Sequence, residues 1–585
     1  MKKNLLFLLL VLAACKNKPT QHQEIKGLSE YAVDAPGIQT FFDKKGVLAE
    51  NGMVATAHPI ASQVGADILK AGGNAIDAAV ATHFALAVVY PWAGNLGGGG
   101  FLVYRDKDGH TYSLDFREKA PAKAHRDMYL DASGNPISGL STLGHLASGV
   151  PGSVDGMVSM HERFGKLSWD KVVAPAIALA NNGIALTERE AVGLNRVKAN
   201  LLQVNAPDSP YYIRADKQAW KQGDTLVQKD LGRILSLIQA KKRAGFYEGE
   251  CADLLVKEMQ RGKGIITHED LKNYHSVWRD AIVDTYKGFK VITMPPTSSG
   301  GVALMQLMKF VEPYPLKRWG WNADSTVQVI IEAERRVYAD RAKWLGDPDF
   351  VKVPVKELTS KSYLKQRMND FSFDKATDSK AVSGGAVPGY ESNETTHYSI
   401  VDKAGNAVSI TTTLNGGFGS KVVVQGGGYL MNNEMDDFSI KAGVPNMFGL
   451  IGNKANEIAP NKRMLSSMTP TIVEKDGKLL MVVGTPGGST IITSVFQTII
   501  NVIEHGMTMQ QAVNALKYHH QWLPDNTTYE KNAFSEATIK NLTTKGYNLV
   551  PMSGSLGRMD CILLRPDGKL EGASDPRGDN TSVGY

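Results

Sequence analysis

Cysteine is scarce in this 585-residue chain, which has only three, at positions 15, 251 and 561. A small scaffold held together by disulfides is therefore excluded, because such scaffolds are dense in cysteine. Cys251 and Cys561 are far apart, and we interpret them as two unrelated small core residues. An excess of one charge is also lacking, since 65 basic and 59 acidic side chains leave a formal net charge of +6. So small an excess on so long a chain does not indicate a nucleic-acid partner.

Long hydrophobic runs are lacking as well. The apolar run at 5–14 follows two lysines and is too short for a membrane span, which takes about twenty residues. It is typical of an export signal. Leu12-Ala13-Ala14-Cys15 resembles the bacterial lipobox, in which the chain is cut before the cysteine and the thiol carries a lipid. We therefore expect a signal peptide at 1–14, a lipid on Cys15, a tether at 15–45, and a location in the periplasm or cell envelope. An ordinary signal peptide with a chance cysteine is the alternative.

Glycine is plentiful, with 58 residues, and it permits turns and close backbone approaches that side chains forbid. Residues 61–69 and 75–89 are apolar at helical spacing and predict a buried helical hairpin. Four glycines at 97–100 precede a strand-like segment. They lack the Gly-Lys-Ser/Thr ending of a phosphate loop, so the sequence does not indicate nucleotide binding. From about 160 to 370 the pattern is mainly helical, and we interpret this part as scaffold.

A change of composition marks the start of a threonine-rich hairpin. Residues 374–394 are rich in Asp, Lys, Ser and Gly, which is typical of an exposed loop. Residues 395–401 and 406–414 are rich in Thr, Val, Ile and Tyr and predict two strands, with a turn at 402–405. A further strand at 479–483 leads into a glycine turn and an apolar helix. Such a turn aims unpaired backbone N–H groups at whatever lies in front of it.

The hairpin predicts that two hydroxyl groups distant in sequence are neighbours in space. If Val401 pairs with Asn406, Thr395 lies opposite Thr412 and within one residue of Thr413. A loop that delivers a threonine to the first position of a strand suggests a chain cut just before that threonine. The freed α-amine, with a pKa of about 7.7 to 8.0, would accept the proton of the hydroxyl beside it. Nucleophile and base would then occupy one residue, and we interpret the nearby histidine of the strand as packing.

The residues of this hairpin resemble the signature of the γ-glutamyltranspeptidase family, with Thr-Thr-His-Tyr-Ser at 395–399 and Gly-Asn-Ala-Val-Ser at 405–409. Thr411, Thr413-Leu414-Asn415 and Phe418-Gly419 continue the match. Other blocks follow in family order: Gly-Gly-Asn-Ala-Ile-Asp-Ala-Ala-Val-Ala at 72–81, the glycines at 97–100, Asp-Phe-Arg-Glu at 115–118, Asn-Asn-Glu-Met-Asp-Asp-Phe at 432–438, Ser-Ser-Met at 466–468 and Gly-Thr-Pro-Gly-Gly-Ser at 484–489. Together they extend from about residue 45 to the end of the chain.

The resemblance implies an N-terminal-nucleophile hydrolase with an α/β (α+β) fold, a four-layer αββα sandwich. It implies a chain that cuts itself between Glu394 and Thr395. The products would be a large subunit, 46–394, and a small subunit, 395–585, which build one intertwined catalytic domain. The implied reaction moves the γ-glutamyl group of glutathione or another γ-glutamyl amide to water or to an amino acid or peptide. No metal and no cofactor are implied.

Site roles follow from the resemblance position by position. Thr395 would attack the γ-carbonyl, Thr413 would orient its hydroxyl, and the N–H groups of Gly487 and Gly488 would form the oxyanion hole. The α-carboxylate would be bound by three side chains, Arg117, Ser466 and Ser467. The α-ammonium would be bound by three others, Asn415, Glu434 and Asp437. A zwitterionic head needs a cation and anions on opposite sides, and pairing both charges gives specificity for glutamate.

Two departures from the family pattern and two alternative functions stay open. Residues 440–453 resemble a lid loop, in which Phe448 stands where many bacterial members have tyrosine, and Glu434 stands where some have glutamine. One alternative is an acylase or poly-γ-glutamate hydrolase of the same fold. The other is a surface lipoprotein that binds a ligand without catalysis.

Overall fold

The computed structural model describes residue 42 and residues 44–382, 395–441, 443–447 and 449–585. The expected signal peptide, Cys15, most of the tether, Glu394 and Phe448 lie outside the described residues. Within these ranges, no helix combines the length and the apolar character needed to cross a membrane.

The described residues form strands and α-helices that are numbered separately in chain order. The strands are β1 (Val47–Ala49), β2 (Met53–Thr56), β3 (Gly99–Arg105), β4 (Thr111–Asp115), β5 (Ile184–Ala185), β6 (Thr225–Leu226), β7 (Val277–Arg279), β8 (Ile282–Tyr286), β9 (Phe289–Thr293), β10 (Thr395–Val401), β11 (Ala407–Thr413), β12 (Thr471–Lys475), β13 (Lys478–Val483), β14 (Tyr518–His520), β15 (Thr527–Glu530), β16 (Leu549–Met552), β17 (Asp560–Leu564), β18 (Leu570–Ser574) and β19 (Thr581–Gly584). The helices are α1 (Pro59–Lys70), α2 (Ala75–Val89), α3 (Ser153–Phe164), α4 (Trp169–Asn182), α5 (Glu188–Val204), α6 (Lys229–Lys241), α7 (Ala244–Tyr247), α8 (Gly249–Arg261), α9 (His268–Lys272), α10 (Gly300–Val311), α11 (Leu316–Trp319), α12 (Asp324–Trp344), α13 (Val355–Leu358), α14 (Lys361–Arg367), α15 (Thr490–Ile503), α16 (Met509–Asn514) and α17 (Glu536–Thr544).

Two seven-stranded antiparallel sheets lie at the centre. Sheet I has the strand order β19-β2-β10-β11-β3-β4-β7, and sheet II has the order β1-β18-β17-β13-β12-β9-β8. Both sheets mix strands from either side of residue 395. In sheet I, β10 lies between β2 and β11, and in sheet II, β12 pairs with β9. Neither sheet is therefore built from one side of the expected cut alone.

Each sheet has one face toward the other sheet and one face covered by helices. Side chains alternate along a strand, so in sheet I Val54 and Ile410 pack with α1, α2 and α4, whereas Met53 and Phe101 pack in the core shared with sheet II. On the far side of sheet II, α10 and α15 pack into that same core, with α12 against α10. The layers are therefore helix, sheet, sheet, helix, which confirms the predicted αββα sandwich.

The predicted helical hairpin is confirmed as α1 and α2. Every residue of α2 is buried, as expected for an Ala-rich helix without a polar face. Asn74 caps its first turn, accepting hydrogen bonds from the N–H groups of Ile76 and Asp77 at 3.0 Å, while the Asp77 carboxylate accepts from Asn74 N at 2.9 Å. The two cysteines read as core residues, Cys251 and Cys561, are buried and unbridged.

The register of the β10–β11 hairpin differs by one residue from the sequence prediction. Val401 pairs with Ala407, and Thr395 lies directly opposite Thr413 rather than Thr412. The prediction that two hydroxyl groups meet across the hairpin is confirmed. The partner of Thr395 is Thr413, which is part of the family signature.

The cause of this shift is the side chain of Asp402. Its Oδ1 accepts hydrogen bonds from the N–H groups of Ala404 at 2.9 Å and Asn406 at 3.0 Å. These bonds hold Asn406 in the turn, so the strand restarts one residue later than we predicted. Oδ2 accepts from Ala75 N at 2.9 Å, which ties the turn to the start of α2.

Candidate active site

Side chains from several distant segments converge on a small cavity at the end of β10 and β11. Its volume is about 20 Å³, close to the room that one water molecule needs. Nine of the ten residues predicted for catalysis and substrate binding line it: Arg117, Thr395, Thr413, Asn415, Glu434, Asp437, Ser466, Ser467 and Gly488. The tenth, Gly487, precedes Gly488 in the same turn. The structure therefore brings the predicted site together from positions 370 residues apart in sequence.

Thr395 is the first residue of β10 and is 5% exposed. Its Oγ1 donates a hydrogen bond to Thr413 Oγ1 at 3.5 Å, and Thr413 Oγ1 also accepts from Asn415 N at 2.7 Å. The Asn415 backbone has φ of +73°, and its side-chain amide donates to Asn433 O at 3.0 Å. The Thr413 hydroxyl is thus held in place by backbone and faces the Thr395 hydroxyl.

The glycines at 97–100 allow β3 to lie close to β11. A Cβ added to Gly98 would lie 2.1 Å from Thr413 O, and one added to Gly100 would lie 2.4 Å from Thr411 O. Any side chain at these two positions would push away the strand that carries Thr413. The close backbone approach predicted for this segment is therefore confirmed.

Arg117 is 1% exposed and is surrounded by carboxyl groups. Its Nη1 lies 2.6 Å from Glu434 Oε2 and 3.5 Å from Glu118 Oε2, and its Nη2 donates to Asp437. Burial raises the pKa of all three acids, that of Glu118 to about 8, against the opposing field of Arg117. We predicted that Arg117 and two of these acids, Glu434 and Asp437, would stand on opposite sides of a ligand. In the structure they are in contact with Arg117, because a buried charge without a partner of opposite charge is costly.

The two predicted serines lie beside an arginine that sequence reasoning missed. Arg341, on α12, donates from Nη2 to Ser467 Oγ at 3.1 Å and from Nε to Ser299 Oγ at 3.0 Å. Ser299 Oγ in turn donates to Ser466 O at 2.6 Å. Arg341 is 4% exposed and lines the cavity. No sequence motif distinguishes Arg341 from Arg335 and Arg336, which lie on the same helix.

Gly487 and Gly488 form the turn that precedes α15. Their φ angles are +143° and +55°, which favour glycine. Within the described ranges, their N–H groups have no hydrogen-bond acceptor, whereas Gly487 O accepts from Thr490 N at 3.0 Å. The turn therefore presents unpaired donors at a helix start beside the cavity, as the glycine pattern predicts.

His397 is fully buried in β10. Its Nδ1 lies 2.9 Å from Thr411 Oγ1 and its Nε2 lies 3.0 Å from Ser399 Oγ. Burial lowers its pKa to about 3, so the ring is neutral at ordinary pH. Both ring nitrogens are occupied away from Thr395, which agrees with the interpretation of this histidine as packing.

Comparison with known proteins identifies the family. Residues 61–585 match the family model described as gamma-glutamyltranspeptidase. The chain is 48% identical over 540 residues to the glutathione hydrolase proenzyme of Escherichia coli (strain K12), covering 92% of this chain and 93% of that protein. A cephalosporin acylase from Bacillus halodurans matches the fold with a TM-score of 0.81 at 26% identity, over 94% of this chain and 99% of that chain. The γ-glutamyltranspeptidase of Helicobacter pylori matches with a TM-score of 0.55 at 42% identity, over 59% of this chain and 97% of that chain.

The family model extends over most of the chain, and the bacterial hydrolase matches it over nearly its whole length. The blocks that suggested the resemblance all lie within these matches. This chain belongs to the γ-glutamyltranspeptidase family.

Proposed function

We propose that the chain is an enzyme that cuts itself before Thr395 and then moves the γ-glutamyl group of glutathione, or of another γ-glutamyl amide, to water or to an amine. The observation that carries this proposal is the position of Thr395. It begins β10, faces the Thr413 hydroxyl at 3.5 Å, and shares a cavity with Arg117 and its carboxylates. Family membership and the 48% identity to a glutathione hydrolase proenzyme support it. The proposed cut gives two subunits from one precursor, residues 46–394 and 395–585.

In the first step, the freed α-amine of Thr395 takes the proton of its own hydroxyl, and Oγ1 attacks the γ-carbonyl carbon. Thr413 orients that hydroxyl. The negative charge that develops on the carbonyl oxygen is stabilised by the N–H groups of Gly487 and Gly488, and one such donor is worth about 2.7 to 4 kcal/mol in comparable hydrolases. The C–N bond then breaks, the leaving amine takes the proton, and a γ-glutamyl ester stays on Thr395. Water or a second amine attacks the ester and restores the hydroxyl.

Substrate recognition in this proposal is an exchange of ion pairs. Arg117 contacts Glu434 and Asp437, and the cavity is too small for a glutamyl group while they stay together. The α-carboxylate of a donor binds Arg117 in place of the two acids and accepts hydrogen bonds from the hydroxyls of Ser466 and Ser467. The α-ammonium of the donor binds the two acids and Asn415 in place of Arg117. A zwitterion therefore leaves no charge unpaired when the contact opens.

The same exchange argues against the acylase alternative. A glutaryl group carries the carboxylate but no ammonium, so it would separate Arg117 from Glu434 and Asp437 and leave two buried carboxylates without a cation, which is costly. An acylase proenzyme from Pseudomonas sp. (strain V22) is 35% identical to the chain over 559 residues, against 48% over 540 residues for the glutathione hydrolase. We therefore favour γ-glutamyl donors.

We also propose export and a lipid anchor on Cys15. The support is the sequence alone: two lysines, the apolar run at 5–14 and the lipobox-like Leu12-Ala13-Ala14-Cys15. The protein would then act in the periplasm or cell envelope, held at the membrane by its lipid.

The test is maturation of Thr395→Ala. The wild-type protein should give two bands on a denaturing gel, the smaller one beginning at Thr395 by N-terminal sequencing, and should hydrolyse γ-glutamyl-p-nitroanilide. Thr395→Ala should give one band and no hydrolysis, since it lacks the hydroxyl needed for both reactions.

Thr396→Val is the matched control. Thr396 is the next residue of β10, is fully buried, and its hydroxyl has no hydrogen-bond partner among the described residues. Valine has the same shape, so this variant should mature and turn over normally. An intact wild-type chain that still hydrolyses the substrate would contradict the proposed base.

A further inference from the structure

One buried arginine differs from all the others that the structure describes. Six arginines are less than 9% exposed, and five of them have a carboxylate oxygen within 4.0 Å: Arg105, Arg117, Arg335, Arg336 and Arg463. Arg341 is the sixth, and no carboxylate within the described ranges reaches it. Buried cations are normally paired, because an unpaired one is costly to desolvate.

The partners of Arg341 are neutral. Its Nε and Nη2 donate to the hydroxyls of Ser299 and Ser467, at 3.0 and 3.1 Å. Burial lowers its pKa to about 10, against the fields of Tyr338 and Asp437, so the side chain is cationic at neutral pH. The structure therefore keeps a buried positive charge whose described hydrogen-bond partners are hydroxyl groups, with no described carboxylate within 4.0 Å.

The position of this charge is informative. Arg341 lines the same 20 Å³ cavity as Thr395, Arg117 and Ser467. Ser467 is thus in contact with Arg341 and in the cavity where the donor's head group is proposed to bind. An anion placed beside Ser467 would meet Arg341 as well.

We infer that Arg341 is a second arginine for the α-carboxylate of the γ-glutamyl donor and helps to determine specificity for it. This inference rests on the proposed function. The α-carboxylate lies between Arg117 and Arg341, with Ser467 donating to it in place of its present role as an acceptor from Arg341. Arg341 touches the substrate and not the reacting carbonyl.

The contacts of the two arginines support this inference. Arg117 is already in contact with the carboxyl groups of Glu434 and Asp437, whereas the described hydrogen-bond partners of Arg341 are the hydroxyls of Ser299 and Ser467. An anion that enters the cavity beside Ser467 therefore meets a buried cation that no described carboxylate pairs.

The test compares three donors in the matured enzyme and in Arg341→Met. The donors are the p-nitroanilides of γ-glutamate, glutarate, which lacks the α-amine, and 4-aminobutyrate, which lacks the α-carboxylate. Loss of Arg341 should lower kcat/KM about 10- to 100-fold for the first two, mainly through KM, as expected for a hydrogen bond to a charged group. The value for the 4-aminobutyryl donor should change less than about twofold, since that donor has no carboxylate to lose. An equal fall for all three donors would mean a structural role and would overturn the inference.

Two further variants separate charge from folding. Arg341→Lys keeps the positive charge but loses the planar guanidinium. Its KM for γ-glutamyl-p-nitroanilide should lie between those of the wild-type protein and Arg341→Met. Lys343→Met removes an exposed cation two residues further along α12 and should leave all three values unchanged. A KM in Arg341→Lys no better than in Arg341→Met would contradict a role for the positive charge, and a normal KM in Arg341→Met would refute the inference.

Failure of the proposed function would be visible separately, as a wild-type chain that turns over no donor. The inference would then be tested by thermal shift with L-glutamate, glutarate and 4-aminobutyrate as probes. Wild-type protein should be stabilised by L-glutamate and Arg341→Met should not. Equal stabilisation of the two proteins would overturn the role of Arg341.

Discussion

His397 is the histidine nearest to Thr395 in sequence, and both lie on β10. Its two ring nitrogens contact Thr411 and Ser399, and burial lowers its pKa to about 3. A group with that pKa does not change its charge between pH 5 and 9. The α-amine that the proposed cut would free on Thr395 does titrate in this range, with a pKa of about 7.7 to 8.0. So does Glu118 beside Arg117, whose pKa burial raises to about 8, but it is not in contact with the Thr395 hydroxyl.

The expected pH profile follows from this difference. The α-amine must be neutral to accept the hydroxyl proton, so kcat/KM for γ-glutamyl-p-nitroanilide should fall as pH decreases through about 8. His397→Gln should keep the midpoint of that limb, whatever its effect on stability. The measurement is kcat/KM from pH 5 to 9 for both matured proteins. A midpoint near 6.5, or one that moves in the variant, would identify a histidine as the base.

The sequence predicted the site residues that lie in a motif. Thr395, Thr413 and Arg117 each lie in a recognisable block, and the structure brings them to one cavity. The contact of Arg117 with Glu434 and Asp437 was not foreseen, because a block shows which residue types are present and not how they pair without a ligand. Arg341 lies in no such block, and it is distinguished by its burial without a carboxylate partner among the described residues.

The β10–β11 hairpin is fixed by its turn. Asp402 is 7% exposed and accepts hydrogen bonds from Ala404 N, Asn406 N and Asn406 Nδ2, and from Ala75 N at the start of α2. One carboxylate thus closes the hairpin and attaches it to the helix layer. Thr395 lies at the opposite end of β10, six residues away from Val401.

We expect Asp402→Ala to destabilise the fold and leave the chemistry intact. Loss of a buried charged acceptor should cost about 1.5 to 3 kcal/mol and lower the Tm by about 1 to 3 °C in a chain of this length. The matured fraction should fall with stability, while kcat per matured enzyme should stay within about twofold, since the cavity is distant from the turn. Differential scanning fluorimetry and active-site titration measure the two effects.

Asp567→Ala is the control at another hairpin. Asp567 is exposed and accepts one backbone hydrogen bond, from Lys569 N at 3.1 Å, in the turn between β17 and β18. Its loss should change the Tm by less than about 0.5 °C. A similar fall in both variants would show that turn propensity, and not the network of Asp402, sets the stability.

The elements themselves were largely predictable. Apolar periodicity found α1 and α2, and β-rich composition found β10 and β11. The register was wrong by one residue because composition marks the residues of a turn but not which side chain closes it. Here an aspartate that reaches Asn406 N extends the turn from four residues to five.

The two proposed subunits are parts of one fold. The small one, 395–585, supplies β10, β11 and β19 to sheet I and four strands to sheet II. The large one supplies the other strands, and β10 pairs with β2 on one side while β11 pairs with β3 on the other. Removing either piece would expose backbone N–H and C=O groups in the middle of both sheets, which is costly.

We therefore expect the two pieces to stay together after the cut and to unfold together. Matured wild-type protein and uncut Thr395→Ala should elute at the same volume in size exclusion under native conditions, although one gives two bands and the other one band on a denaturing gel. Both should melt in a single transition, because neither sheet is complete without strands from each piece. Two transitions, or release of the smaller piece at low denaturant, would contradict a single intertwined domain. Since the hairpin that carries Thr395 is held between β2 and β3, such release would also remove the nucleophile from Arg117, so activity should be lost at the same denaturant concentration as the association.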